Sequence, residues 1–165
     1  MNINLNNEKI LLKNNFLFIK NNFYCKIKIP FDINLIFKNN IFSICSFSYN
    51  KKNEISFSKL LKNLIIGIDK LWNQEILISG LGYKVFIKER KIYFNLGYSD
   101  VKSLIIPNYI LIELTKNKII LKSVYKDKIG LFIYKILKLK KFDPYKKKGL
   151  FLKNPITKKS SKKKQ

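Results

Sequence analysis

Phe142-Asp-Pro-Tyr-Lys-Lys-Lys-Gly149 packs a flat ring, three ammonium groups and a position with no side chain into eight residues. That set suits the gripping of phosphates and sugars. Tyr145 offers a stacking surface, Lys146, Lys147 and Lys148 offer cations, and Gly149 lets the backbone pass close to a surface that a side chain would block. Taken alone, three lysines near a chain end are an ordinary solvated tail. The charge around them argues otherwise: from Lys138 to Gln165 twelve lysines stand against one acid, Asp143, so this stretch carries +11 of the chain's +24. Lys138, Lys140 and Lys141 precede the cluster, and Lys153, Lys158, Lys159, Lys162, Lys163 and Lys164 follow it. Such a density calls for a polyanion, and these residues are the candidate nucleic-acid contacts.

Composition supports that reading and narrows the rest. The chain has 165 residues, 47% hydrophobic and 14% aromatic, enough to build a core rather than a disordered polycation. Thirty-four basic residues oppose ten acids, and a nucleic acid is the commonest partner for that balance. Arg90 is the sole arginine, and the abundance of Lys, Asn, Ile, Phe and Tyr reflects A- and T-rich codons, as in an organelle or a reduced bacterium. Histidine is absent, which removes the usual general base near neutral pH. The acids are scattered singly, and Cys25 and Cys45 have no histidine or further cysteine to complete a metal site. No cofactor, metal or catalytic residue is expected. No targeting signal stands out in the first residues, as in a protein made in the compartment where it works. Apolar runs are broken well before the ~20 residues that a transmembrane helix needs.

Two kinds of periodicity position the basic end. Alternation in Cys25, Ile27 and Ile29 marks half-buried strands, so Phe16–Ile19 and Phe23–Ile29 read as one hairpin and Ile33–Phe37 with Ile41–Ile44 as a second. A polar stretch from Ser48 to Ser56 leads into Leu61, Leu64, Ile65, Ile68, Leu71 and Trp72, which share one side of a helix that Gly67 weakens near its end. Strands return at 74–79, 83–87, 92–96, 110–114 and 119–121. A second one-sided helix holds Ile129, Phe132, Ile133, Ile136 and Leu137, with Asp127 at its start, where an acid suits the helix dipole. Lys135, Lys138 and Lys141 lie opposite its apolar side, and Pro144 cannot continue it. Gly80-Leu-Gly82 lacks the third glycine of a dinucleotide loop and reads as a tight strand crossing, while Tyr83, Tyr93 and Tyr98 read as packing residues.

The halves match. Pro107 minus Pro30 is 77, and the same offset relates Ile33 to Ile110, Asn40 to Asn117 and Ile44 to Leu121. The expected architecture is α+β: two tandem small domains, each a short antiparallel sheet with one helix on a face. The boundaries read as 1–74 and 75–152, followed by a basic tail over 153–165. Residues 1–75 carry eleven lysines and five acids, net +6, leaving +18 for the remainder, so the second domain is the expected binder.

Three motifs in order carry a resemblance: Gly80-Leu-Gly82-Tyr83-Lys84, Phe94-Asn-Leu-Gly97-Tyr98-Ser99, and Pro144-Tyr145-Lys146-Lys147-Lys148-Gly149. Together they resemble the large-subunit ribosomal protein L-six family, most strongly from Leu61 to Leu152. The chain departs from the family pattern at Asp100, where histidine is usual, at Lys147, which replaces the loop's first glycine, and at Leu150-Phe151-Leu152, which replaces a stretch ending Arg-Tyr. The resemblance implies a non-catalytic constituent of the large ribosomal subunit, bound to its RNA near the sarcin-ricin loop and the base of the factor-binding stalk. Neighbouring ribosomal proteins would be partners, and translation factors would come close. A mitochondrial ribosome is the expected setting, with a plastid, an apicoplast or an AT-rich bacterium as alternatives. The runner-up function is a peripheral basic protein that binds anionic membrane or RNA non-specifically. Against it, the apolar face of each helix is needed by its own sheet.

Overall fold

The 77-residue offset between the prolines reappears as topology in a computed structural model, which describes residues 2–4, 9–13, 15–38, 41–46 and 51–152. Among the described residues the order is β1 (Asn2–Asn4), β2 (Lys9–Lys13), β3 (Phe16–Lys20), β4 (Tyr24–Lys28), β5 (Ile33–Lys38), β6 (Ile41–Ser46) and α1 (Lys51–Asp69). Then come β7 (Trp72–Ser79), β8 (Lys84–Lys88), β9 (Lys91–Asn95), β10 (Lys102–Ile105), β11 (Leu111–Thr115), β12 (Lys118–Ser123), α2 (Lys126–Leu139) and β13 (Gly149–Leu152). The first half forms sheets β2-β3-β4 and β1-β6-β5; the second forms β8-β9-β10 and β7-β12-β11, with β13 added beside β7. The fold is α+β. Equivalent turns lead into β5 and β11: Ile33 N–H donates to the Pro30 carbonyl at 3.2 Å and Ile110 N–H to the Pro107 carbonyl at 3.1 Å.

Two compact units result, Met1–Trp72 with Val124–Lys126, and Asn73–Ser123 with Asp127–Gln165. In the first, alternation sends Leu17, Ile19 and Cys25 inward from β3 and β4 to meet Leu61, Leu64 and Ile68 of α1. Burying each such large side chain contributes about 1.5–3 kcal/mol. The helix begins at Lys51, earlier than the polar stretch implied, because buried Phe57 extends the apolar stripe by a turn. Gly67 lies inside the helix rather than weakening it, and is buried where a side chain has no room. Strands β1, β2, β10 and β13 were not legible in the sequence. The part of the second hairpin at Lys38-Asn-Asn40 lies partly outside the described residues.

Strand β4 is an edge, and Tyr125 closes it. The Lys26 N–H donates to the Tyr125 hydroxyl at 2.8 Å, and that hydroxyl donates to the Lys26 carbonyl at 3.1 Å. Burial pushes the Tyr125 pKa above its ordinary 10.0. A group whose folded pKa is raised adds stability below the unfolded value, and that stability is lost as pH climbs through the folded value. Tyr125→Phe is expected to cost the first unit about 1 kcal/mol at neutral pH, water replacing part of the two bonds. The gap between wild type and variant should then narrow above pH 10.0, in urea unfolding followed by fluorescence of Trp72, the chain's single tryptophan.

The second unit buries Ile76, Ile92, Phe94, Ile119, Leu121 and Leu150 together with Phe132 and Ile136 of α2. Glu89 and Arg90 turn the β8–β9 hairpin with φ of 48° and 60°, both positive as a two-residue hairpin turn with right-handed twist demands. Gly80-Leu-Gly82 is a tight turn between β7 and β8. The Tyr83 ring lies against Gly80, where a Cβ would come within 2.5 Å of it.

Candidate nucleic-acid interface

The basic end is built on α2. Ile129, Phe132, Ile133 and Ile136 turn inward, which leaves Lys135 and Lys138 exposed on the other side. The helix stops at Leu139, five residues before Pro144, and the Leu139 carbonyl accepts a hydrogen bond from the Tyr98 hydroxyl at 3.4 Å. Lys140 then folds over the Tyr98 ring, its Nζ 4.1 Å from the centroid, and Lys141 is exposed. Lys102 reaches the same ring, also at 4.1 Å. Tyr98 is therefore the exposed centre of a cationic pair rather than a packing residue. Tyr93, by contrast, does pack: its ring stacks on Phe86 at 5.1 Å.

Past Lys141 the chain makes a closed excursion. The Phe142 ring contacts the Phe151 ring at 4.7 Å between centroids, and the Asp143 N–H donates to the Lys148 carbonyl at 2.8 Å. Inside that ring of contacts, Asp143 Oδ1 accepts the N–H of Tyr145 at 2.9 Å and of Lys146 at 3.2 Å. These two bonds, the Lys146 one foremost, hold the Asp143 carboxyl below its ordinary range. Ser79 Oγ donates to the Lys147 carbonyl at 2.7 Å. Gly149 then opens β13, which runs antiparallel to β7 from Gly149 opposite Ser79 to Leu152 opposite Ile76.

So the loop's one acid and part of its backbone are tied down, by bonds within the loop and by Ser79, while Tyr145, Lys146, Lys147 and Lys148 are presented to solvent. Lys147 keeps a left-handed φ of 53° in place of glycine, a strain of about 1–2 kcal/mol. Gly149 differs from the expectation. It is buried, and the close approach it permits is to the chain's own backbone at Phe142 and Lys141. Lys153, Lys158, Lys159, Lys162, Lys163 and Lys164 lie outside the described residues. Sequence reasoning missed Lys102 and Ser79. Lys102 follows Tyr98 across a bend, where no helical or strand period signals a meeting. Among the described residues, no three His, Cys, Asp or Glu side chains gather where they could hold a metal ion. No helix among them is long and apolar enough to cross a membrane.

Comparison with known proteins gives the same family repeatedly. The chain is 35% identical over 98 residues to "Large ribosomal subunit protein uL6c" of Phaeodactylum tricornutum, covering 59% of this chain and 55% of that protein. It is 29% identical over 136 residues to "Large ribosomal subunit protein uL6" of Mycoplasma genitalium, covering 79% and 74%. With the protein of that name from Onion yellows phytoplasma it shares 33% over 103 residues, 62% and 56% of the two chains. The chain thus spans little more than half the length of the first and third of these relatives. No family model matches it.

Proposed function

We propose that the chain, which is similar to proteins named large ribosomal subunit protein uL6, is a structural, non-catalytic constituent of a large ribosomal subunit. It holds ribosomal RNA near the sarcin-ricin loop and the stalk base, with neighbouring ribosomal proteins as further partners and translation factors passing close by. Residues 75–152 form the binding domain, and the tail over 153–165 adds charge. The observation that carries this reading is the loop at 143–148, pinned by the Asp143 bonds to Tyr145 and Lys146, the Asp143–Lys148 backbone bond and Ser79. A loop whose backbone is already pinned holds three ammonium groups and a ring outward with less backbone left to order on binding. Lys135 and Lys138 on α2, with Lys140 and Lys141 just past its end, continue the cationic surface. The mechanism is neutralisation of phosphates with recognition of folded RNA shape, and little reading of bases. The relatives are plastid and bacterial proteins, so a plastid ribosome is compatible with them, while a mitochondrial one rests on composition alone.

The test is binding of the whole chain, across a salt series, to a large-subunit RNA fragment containing the sarcin-ricin region, beside unrelated RNA and anionic vesicles. Replacing Lys146, Lys147 and Lys148 with alanine should weaken the fragment selectively and lower the salt slope by about 0.7–0.9 for each lost contact. Equal binding to every polyanion, unaltered in the variant, would reduce the loop to a generic basic tail.

A further inference from the structure

The outer face of sheet β2-β3-β4 takes no part in the site above. Alternation that buries Leu17, Ile19 and Cys25 leaves Phe16, Phe18 and Tyr24 on the opposite side. The Phe18 and Tyr24 rings stack at 6.1 Å with 29° between planes, and Phe16 lies 6.4 Å from Phe18. Tyr24 is 57% exposed, and Leu11, which the register sets opposite Phe18, is 71% exposed. Contiguous rings on an exterior face mark a surface that something covers.

Charge narrows what that something is. The register places Lys13, Lys20, Lys26 and Lys28 on the same face, and among the described residues of the three strands no acid occupies a position on it. Unpaired RNA answers both features at once, with base planes for the rings and phosphates for the ammonium groups. Duplex RNA presents phosphates but no free ring faces, and a protein partner would have to bring an acidic rim of its own. The face is occupied for now by Lys26, whose Nζ lies 4.1 Å from the Phe16 centroid and 5.4 Å from that of Phe18. A solvent-exposed cation–π contact is weaker than a base–aromatic stack, so an arriving base displaces the ammonium toward a phosphate.

We propose that this face of the first unit is a stacking platform for an unpaired RNA segment, with bases on Phe16, Phe18 and Tyr24 and phosphates on the surrounding lysines. It goes beyond the C-terminal site and shares with the functional reading only the class of partner.

The test uses the full chain, an unpaired oligoribonucleotide of about eight nucleotides, and an RNA duplex with as many phosphates. Phe18→Leu combined with Tyr24→Leu keeps apolar volume and removes the stacking planes. The expected result is a loss of affinity of at least about tenfold for the unpaired strand, since two base–aromatic stacks are removed and each is worth about five- to 150-fold, with duplex binding unchanged. The alanine variant of Lys146, Lys147 and Lys148 should weaken binding without removing this strand preference, so failure of the loop reading and failure of this one are distinguishable. Equal losses for strand and duplex, or none for either, would overturn the proposal. So would a double variant that binds RNA normally but no longer binds a neighbouring large-subunit protein. Should the double variant fail to fold, ultraviolet cross-linking of the same oligonucleotide to the wild-type chain decides. Adducts within Phe16–Lys28 support the platform, and adducts confined to the C-terminal loop refute it.

Discussion

Gly149→Ala is expected to cost the second unit about 3–5 kcal/mol and to release the basic loop from its base. Two penalties coincide at this position. The backbone sits at φ +132°, a conformation that costs an L-residue on the order of 1–3 kcal/mol. An added Cβ would also stand 2.7 Å from Phe142 Cα and 2.8 Å from the Lys141 carbonyl oxygen, both backbone atoms that cannot swing aside. Overpacking of that kind costs about 1–3 kcal/mol more. The lowest-cost escape is for β13 to leave β7, which takes Leu150 out of the core and undoes the Ser79 contact to Lys147. Hydrogen exchange should therefore accelerate at the amides that pair β13 with β7, and affinity for the large-subunit RNA fragment should fall toward that of the triple-lysine variant although no lysine is lost. Unchanged exchange at those amides would show that the loop is not held by this approach.

A comparable effect is expected in the first unit from Gly67→Ala. Its Cβ would lie 2.3 Å from the Val124 carbonyl oxygen and 2.9 Å from Trp72 Cδ1. Replacing a mid-helix glycine with alanine ordinarily gains about 1 kcal/mol. Here the clash, at the upper end of the overpacking range of about 3 kcal/mol, outweighs that gain and leaves a net loss of about 2 kcal/mol. The Trp72 indole, which donates to the Asn63 carbonyl at 2.9 Å, makes the disturbance visible as a shift in fluorescence. Gly130→Ala is the matched control, since its Cβ would meet nothing within 4 Å in α2, and it should stabilise by about 1 kcal/mol. A Gly67→Ala protein as stable as the control would contradict the close packing of α1 on residue 124.

The two glycines show where reading the chain stops. Hairpins around Lys20-Asn-Asn22 and Lys116-Asn-Lys118, the apolar stripes of both helices and the 77-residue repeat were legible because they are set by local period and turn chemistry. The structure reproduces their pairing, with Ile19 opposite Cys25 and Leu114 opposite Ile119. The basic loop was legible as well, since its lysines are consecutive and Pro144 bars a helix. Its form was not. That Asp143 caps Tyr145 and Lys146, and that Ser79, sixty-eight residues earlier, holds the Lys147 carbonyl, depend on β13 returning to β7. The short segment Gly149–Leu152 has no alternation long enough to announce a strand.

What the sequence by itself determined is therefore the fold class, the duplication and the location of the charge. Each follows from residue type and from spacings within a few turns or strand steps. What only the tertiary structure decided is which surface each residue meets. Gly149 faces the chain's own backbone rather than a ligand, Tyr98 gathers Lys102 and Lys140, and Phe16, Phe18 and Tyr24 share an open face. The physical reason is that these contacts join segments whose separation along the chain carries no period, so strand register and the packing of each helix, not local propensity, bring them together.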